Sequence, residues 1–299
     1  MEEFKVVLKD GTLMKGWKLE AKDAKRNFCF ITGMDEYAKR YEGLALYLAQ
    51  NGINVWLLDA LGQGLNVESV DEQERWPKDG FNKNVEGIAL MVEEAKKNGL
   101  PTIQAGHSMG SFLTQRRLEL YPGIADKTMI IGSNGGQAGL MGIAHFLTLI
   151  IVNKKNWDKP NSFMDNMGLG AYTKAIKDRK TPVDWLSYNE ENVNKYVEDP
   201  WCGHANTGGF WREFTDGMRK VWKGSEMKKV GKDEVIYLTA GEEDPVGQNG
   251  KGVKWLYDRY QKLGIKNVTM KLYPHMRHEI HNEIGKEEVW EDFKNFILE

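Results

Sequence analysis

Ser108 stands between two glycines in the stretch Ala105-Gly106-His107-Ser108-Met109-Gly110-Ser111-Phe112-Leu113. A serine hydroxyl becomes a nucleophile only beside a base, and the base needs a group that orients it. Two later stretches supply such groups. "LTAGEEDPVG" offers Glu242, Glu243 and Asp244, and "LYPHMRHEIHNE" offers His275, His278 and His281. Three histidines spaced by three could also bind a metal. No carboxylate or cysteine set of known ligand geometry accompanies them, so no metal and no cofactor is expected. Cys202 and His204 lie close together, but no sharp turn frames the thiol, and it is not read as a second nucleophile. Cys29 sits inside an apolar run and is expected in the core.

The elements that must position these groups follow from patterning. "FKVVLKDGTLMKGWKL" is two extended runs around Asp10-Gly11, a hairpin signal. Short apolar runs at Asn27 to Thr32, Ile53 to Asp59, Pro101 to Gly106 and Lys127 to Ser133 read as buried strands. Amphipathic stretches separate them, two of which stop at Asn-Gly pairs, as helix C-termini do. Strand and helix alternation resumes with Glu234 to Gly241, "GKGVKWLYDRYQKLG", Asn267 to Pro274 and a terminal helix. Continuous apolar strands alternating with helices predict an α/β fold with a mostly parallel twisted sheet covered on both faces. Ser108 then falls where a strand turns into a helix. Glycines two positions to either side let the backbone turn sharply there. That turn lifts the hydroxyl above the sheet edge, over the positive end of the helix dipole.

Composition narrows the classes. The 299 residues are 41% hydrophobic and 28% charged, enough for a sizeable core. A net charge of −2 argues against nucleic-acid binding. Two cysteines cannot build a disulfide framework. The N-terminus shows no basic segment leading into an apolar one, and the apolar run from Ala138 to Val152 is shorter than a membrane span. A cytoplasmic protein is expected.

These motifs together resemble the α/β-hydrolase superfamily, in particular its monoacylglycerol lipase and lysophospholipase-like branch. The likeness covers nearly the whole chain. "GHSMGS" matches the nucleophile turn. "GMDEYAKRY" (Gly33 to Tyr41) is similar to the branch's oxyanion loop, where a Glu and an Arg-Tyr pair recur. "DALGQGLN", "GEEDPVG" and "YPHMRHEIHNE" match its second loop, acid loop and histidine loop. The resemblance implies a triad of Ser108, Asp244 and His278, with the backbone N–H groups of Met34 and Met109 as oxyanion donors. The chain departs from the branch at Thr32-Gly33, where His-Gly is usual, and at "LGQGLN", which lacks the usual Arg-Gly-His.

The resemblance further implies a core at residues 1–133 and 210–299 and an inserted cap at 134–209. Most apolar residues of the insertion are expected to be its own core. Phe146, Leu147, Ile150 and Trp201 are the candidates for the substrate pocket, and Leu140 to Val152 is expected to shelter an acyl chain or to meet lipid aggregates. The implied activity is hydrolysis of a carboxylic ester, of monoacylglycerol or lysophospholipid type, through an acyl-enzyme. An amidase, thioesterase or peptidase with the same triad, and a non-catalytic ligand-binding protein on this fold, remain alternatives. The expected partner is a small-molecule ester.

Overall fold

The structure, a computed structural model, describes residues 1–299. Eight strands form one sheet: β1 (Glu2–Val7), β2 (Leu13–Leu19), β3 (Arg26–Ile31), β4 (Ile53–Leu58), β5 (Thr102–His107), β6 (Lys127–Ile131), β7 (Val235–Gly241) and β8 (Asn267–Tyr273). Their order across the sheet is β1-β2-β4-β3-β5-β6-β7-β8. From β4 to β8 the pairing is parallel. Only the β1–β2 hairpin around Asp10-Gly11 and the β2–β4 pair are antiparallel. The fold is thus the α/β architecture predicted from the alternation.

Ten α-helices accompany the sheet: α1 (Glu42–Gln50), α2 (Gly80–Lys96), α3 (Met109–Leu120), α4 (Ala138–Ile151), α5 (Ser162–Ala175), α6 (Glu190–Glu198), α7 (Gly208–Val221), α8 (Gly224–Met227), α9 (Lys251–Lys262) and α10 (Lys286–Leu298). Strand side chains alternate between faces, so register decides which helices they meet. Phe30, Ala105, Met129 and Tyr237 are paired neighbours, and they share one cluster with Leu44 and Leu48 of α1 and Val289, Phe293 and Ile297 of α10. The next residues along, among them Ile31, Ile130 and Leu238, turn to the opposite face. There they pack with Ile88 and Val92 of α2, Leu113 and Leu118 of α3, and Val253 and Leu256 of α9. Strands buried on both faces explain why their sequences read as unbroken apolar runs.

Between β6 and β7 the chain leaves the sheet and runs through α4 to α8. α4 packs extensively on α7, with Thr148 of α4 buried against Thr215 of α7. No helix is long and apolar enough to cross a membrane.

Candidate active site

Ser108 is the single residue between β5 and α3. Its φ of 53° and ψ of −119° place a non-glycine residue in a strained region, at a cost of order 1–3 kcal/mol. Its neighbours come too close for side chains. A Cβ on Gly106 would lie 2.2 Å from the Gly110 carbonyl oxygen, and one on Gly110 would lie 2.4 Å from the Ile31 carbonyl oxygen. The Ser108 N–H donates to the Ile131 carbonyl at 3.0 Å, tying the turn to β6.

The acid and histidine loops follow β7 and β8, at the same end of the parallel strands. Asp244 and His278 are almost wholly buried, with Asp244 Oδ2 3.0 Å from His278 Nδ1. The Val246 N–H donates to the other carboxylate oxygen at 2.8 Å, which holds the acid in place. The far ring nitrogen of His278, Nε2, is buried and has no partner. The other two histidines differ. His275 is 93% exposed and faces Glu243. His281 is buried and stacked on Tyr41, with ring centroids 4.9 Å apart. Burial and the adjacent His107 push its imidazole down to about 3. No group of three or more His, Cys, Asp or Glu side chains is arranged to hold a metal ion.

Ser108 and His278 line one cavity of about 170 Å³, together with Met34 and Met109. Met109 opens α3, so its N–H is among those a helix leaves without an internal partner. Met34 follows Gly33, and no backbone bond of the loop uses its N–H. The cavity wall is mostly apolar: 18 of its 28 residues are hydrophobic, a composition suited to a hydrocarbon chain.

A buried polar network joins the loops around the cavity. The Gly33 N–H and the Tyr41 hydroxyl both donate to Glu36 Oε1, at 2.7 and 2.5 Å. Arg40 donates to Glu36 at 2.5 Å and grips both oxygens of Glu279 at 2.7 and 2.9 Å. His107 Nε2 lies 3.1 Å from the His278 carbonyl oxygen, and its Nδ1 lies 2.9 Å from the Tyr41 hydroxyl. Burial opposes ionisation of Glu36, but His107 and Arg40 override it and pull its carboxyl down to about 2. The oxyanion loop, the serine turn and the histidine loop are therefore braced by one set of buried charges. The Glu and the Arg-Tyr pair were visible in "GMDEYAKRY". Their partner Glu279, far away in sequence, was not assigned.

The pocket candidates require a correction. Phe146, Leu147, Ile150 and Trp201 do not line the cavity. α4 turns Leu140, Met141 and Ala144 inward, whereas Phe146 and Ile150 are 60% and 64% exposed. Leu147 is half-buried, and Trp201 packs near Tyr37 instead, with ring centroids 6.4 Å apart. Helical geometry sends residues about four apart to one face, and an all-apolar helix gives no clue which face that is. The wall is completed by Met164, Met167, Tyr172 and Trp185 of the insertion and by Trp211 of α7.

Two more buried carboxyls stand behind the site. Burial pushes Asp59 up to about 7 and, reinforced by Asp165 and Glu36, Glu74 up to about 8. A carboxyl raised in the folded state contributes stability that is complete below its unfolded value, near 4.5, and lost as pH climbs through the folded value. The melting temperature should therefore fall between pH 5 and 8.5. Glu74→Gln keeps an acceptor for the Gln63 amide, which donates to Glu74 at 3.0 Å. It should flatten that fall and raise the melting temperature at pH 8.5 by roughly 5 °C. Melts across the pH range check this; an unchanged slope would assign the loss to other groups.

The sequence profile of the serine aminopeptidase S33 hydrolases matches residues 22–285. The chain belongs to that family. A monoacylglycerol lipase of Mycolicibacterium smegmatis is 24% identical over 272 residues, which cover 89% of this chain and 85% of that protein. Among solved structures, a highly thermostable carboxyl esterase from Bacillus coagulans, in complex with glycerol, shares 25% identity at a TM-score of 0.87. The alignment covers 99% of this chain and 97% of that one. A soluble variant of the monoglyceride lipase from Saccharomyces cerevisiae, with a substrate analog, superposes at a TM-score of 0.74 with 16% identity. It covers 99% and 94% of the two chains. The chain is a carboxylic ester hydrolase of α/β-hydrolase fold, similar to monoacylglycerol lipases.

Proposed function

We propose that the chain hydrolyses medium- to long-chain acyl esters of monoacylglycerol or lysophospholipid type, with Ser108 as nucleophile, His278 as base and Asp244 as orienting acid. One observation carries this reading. The unspent Nε2 of His278, a ring fixed at its other nitrogen by Asp244, borders the same apolar cavity as the strained Ser108. His278 takes the Ser108 proton as Oγ bonds to the ester carbonyl carbon. The oxygen that gains the negative charge accepts hydrogen bonds from the Met34 and Met109 N–H groups. The carbon–oxygen bond to the alcohol then breaks, and His278 returns the proton to the departing oxygen. The same nitrogen then takes a proton from a water whose oxygen bonds to the acyl carbon; the carbon–Oγ bond breaks, and His278 gives the proton back to Ser108.

We read residues 134–209 as a cap over the core formed by 1–133 and 210–299. Three features support this: the segment leaves the sheet after β6, α4 and α5 wall the cavity, and α6 supplies Tyr196 to it. The outer side of α4 carries Ile143, Phe146, Leu149 and Ile150, all exposed, and the helix has no charged residue. Leu140 and Met167 are both exposed and part of the cavity wall, so the apolar surface runs continuously into the site. Such a surface suits contact with lipid aggregates.

A chain-length series of esters from C2 to C16 tests the substrate assignment. Each methylene buried among Met141, Met164 and Trp211 contributes about 0.8 kcal/mol, so kcat/KM should rise roughly fourfold per carbon until the cavity is full. A flat profile, or activity on acetyl esters alone, would overturn the lipid-ester reading and leave the triad standing.

A further inference from the structure

Only two residues lining the cavity carry a buried side-chain polar atom without a partner. One is His278, through Nε2; the other is Asp35, through Oδ1. Asp35 is 6% exposed, and its backbone φ is 59°, in the left-handed region that favours glycine. Aspartate tolerates that region better than most residues, but at a cost. Its backbone is held from outside: the Tyr196 hydroxyl and the Gly203 N–H both donate to the Asp35 carbonyl, at 2.9 and 3.0 Å. A strained backbone, clamped by Tyr196 and Gly203, therefore keeps Asp35 among the residues of the cavity wall, beside Met34.

The Asn206 side chain hydrogen-bonds to this carboxyl, but Oδ1 is left without a donor. Glu74 and Asp165 are the charged groups that act on it most strongly, and neither is a cation. The one nearby guanidinium, Arg40, is committed to Glu36 and Glu279. No Lys or Arg lines the cavity. Near Asp35, Glu74 Oε2 and Asn206 Oδ1 are also buried and unpartnered. A buried acceptor left unsatisfied is costly, and a ligand that brings a donor removes the cost.

We propose that Asp35 is a specificity-determining residue that accepts a hydrogen bond from a donor group, hydroxyl or ammonium, carried by the ester substrate. The inference rests on the hydrolase reading above and adds a polar requirement to it. The apolar wall takes the acyl chain, and the Asp35 carboxyl selects among esters of the same chain. Sites that hydrogen-bond a substrate group discriminate strongly against analogues lacking it, because their own buried atoms are then left unpaired.

Three octanoyl esters separate the outcomes: the glycerol ester with hydroxyls, the ethanolamine ester with an ammonium, and the butyl ester with neither. They are compared on the wild type, Asp35→Asn and Asp35→Gly. Both replacements tolerate a positive φ. At least one donor-bearing ester should exceed the butyl ester in kcat/KM by about tenfold or more. Asp35→Gly should lower that preference by about tenfold while butyl turnover stays within about threefold; Asp35→Asn, which keeps an acceptor oxygen, should retain a preference for a hydroxyl and lose most of one for an ammonium. Loss confined to the glycerol ester identifies a hydroxyl, and loss confined to the ethanolamine ester an ammonium. An unmoved preference in Asp35→Gly, or an equal fall on all three esters, would overturn the assignment and leave Asp35 a loop residue. Absence of Ser108-dependent turnover of every ester would overturn the hydrolase reading and this inference together.

Discussion

Ser108→Ala should lower kcat on any ester substrate by about four powers of ten or more, because the attacking oxygen is gone while the cavity and the Met34 and Met109 N–H groups remain. His278→Ala should cost a similar factor, since no other imidazole can reach its place. His275 is 93% exposed, paired loosely with Glu243, and His275→Ala should leave kcat within a few-fold. Asp244→Asn should also be severe: the acid fixes the ring at 3.0 Å, and its loss permits the wrong tautomer. Steady-state kinetics on a p-nitrophenyl ester measure all four. A fluorophosphonate probe gives an independent readout, labelling the wild type and not Ser108→Ala. Labelling of both proteins alike, or normal turnover by His278→Ala, would sink the triad.

The second large effect is expected at Arg40. This guanidinium is almost wholly buried and neutralises two carboxylates, Glu36 and Glu279. Arg40→Met keeps much of the aliphatic volume and strands both acids. Removing one member of a buried ion pair costs about 3–5 kcal/mol, which should lower the melting temperature by roughly 10 °C. Activity should fall as well, for a mechanical reason. Glu36 accepts the Gly33 N–H at 2.7 Å and so sets the loop that carries Met34. Glu279 adjoins His278 in the chain. Neutralising an acid, in Arg40→Met with Glu279→Gln, should recover part of the lost stability. Thermal melts and kcat on the two variants check this. A drop under about 1 kcal/mol for Arg40→Met would mean that water replaces the guanidinium.

The strands, the serine turn and the order of the functional loops were readable because each is a local pattern. Apolar runs buried on both sheet faces announce themselves, and Gly106 is demanded by the carbonyl of Gly110, close by in sequence, although Gly110 itself makes room for Ile31 of β3. The polar core behind the site was less readable. Glu36, Arg40 and Glu279 meet only after β8 is laid beside β7. Asp35, Glu74, Asp165 and Asn206 come from four distant segments, and nothing in their immediate sequence marks them as buried. The pocket wall failed for a different reason. α4 carries large apolar residues on both its inner and its outer side, so pattern alone could not tell the cavity-lining Leu140, Met141 and Ala144 from the outer Phe146 and Ile150.

The long excursion between β6 and β7 leaves and re-enters the sheet at two strands that are hydrogen-bonded neighbours, with Ile131 paired to Thr239. Its two ends are therefore pinned at almost one point, whatever lies between them. Ser108, Asp244 and His278 hang from β5, β7 and β8 and owe none of their placement to the length of that excursion. Lineages could lengthen, trim or exchange α4 and α5 without rebuilding the scaffold beneath them, whereas Asp184 to Leu186 are tied to the histidine loop, where the Glu279 N–H donates to the Leu186 carbonyl at 2.7 Å. The groups proposed to break the bond thus sit on a scaffold set by the sheet, and a transplanted excursion would carry its own share of the cavity wall, Met141, Met164 and Trp185 among it, into a recipient enzyme.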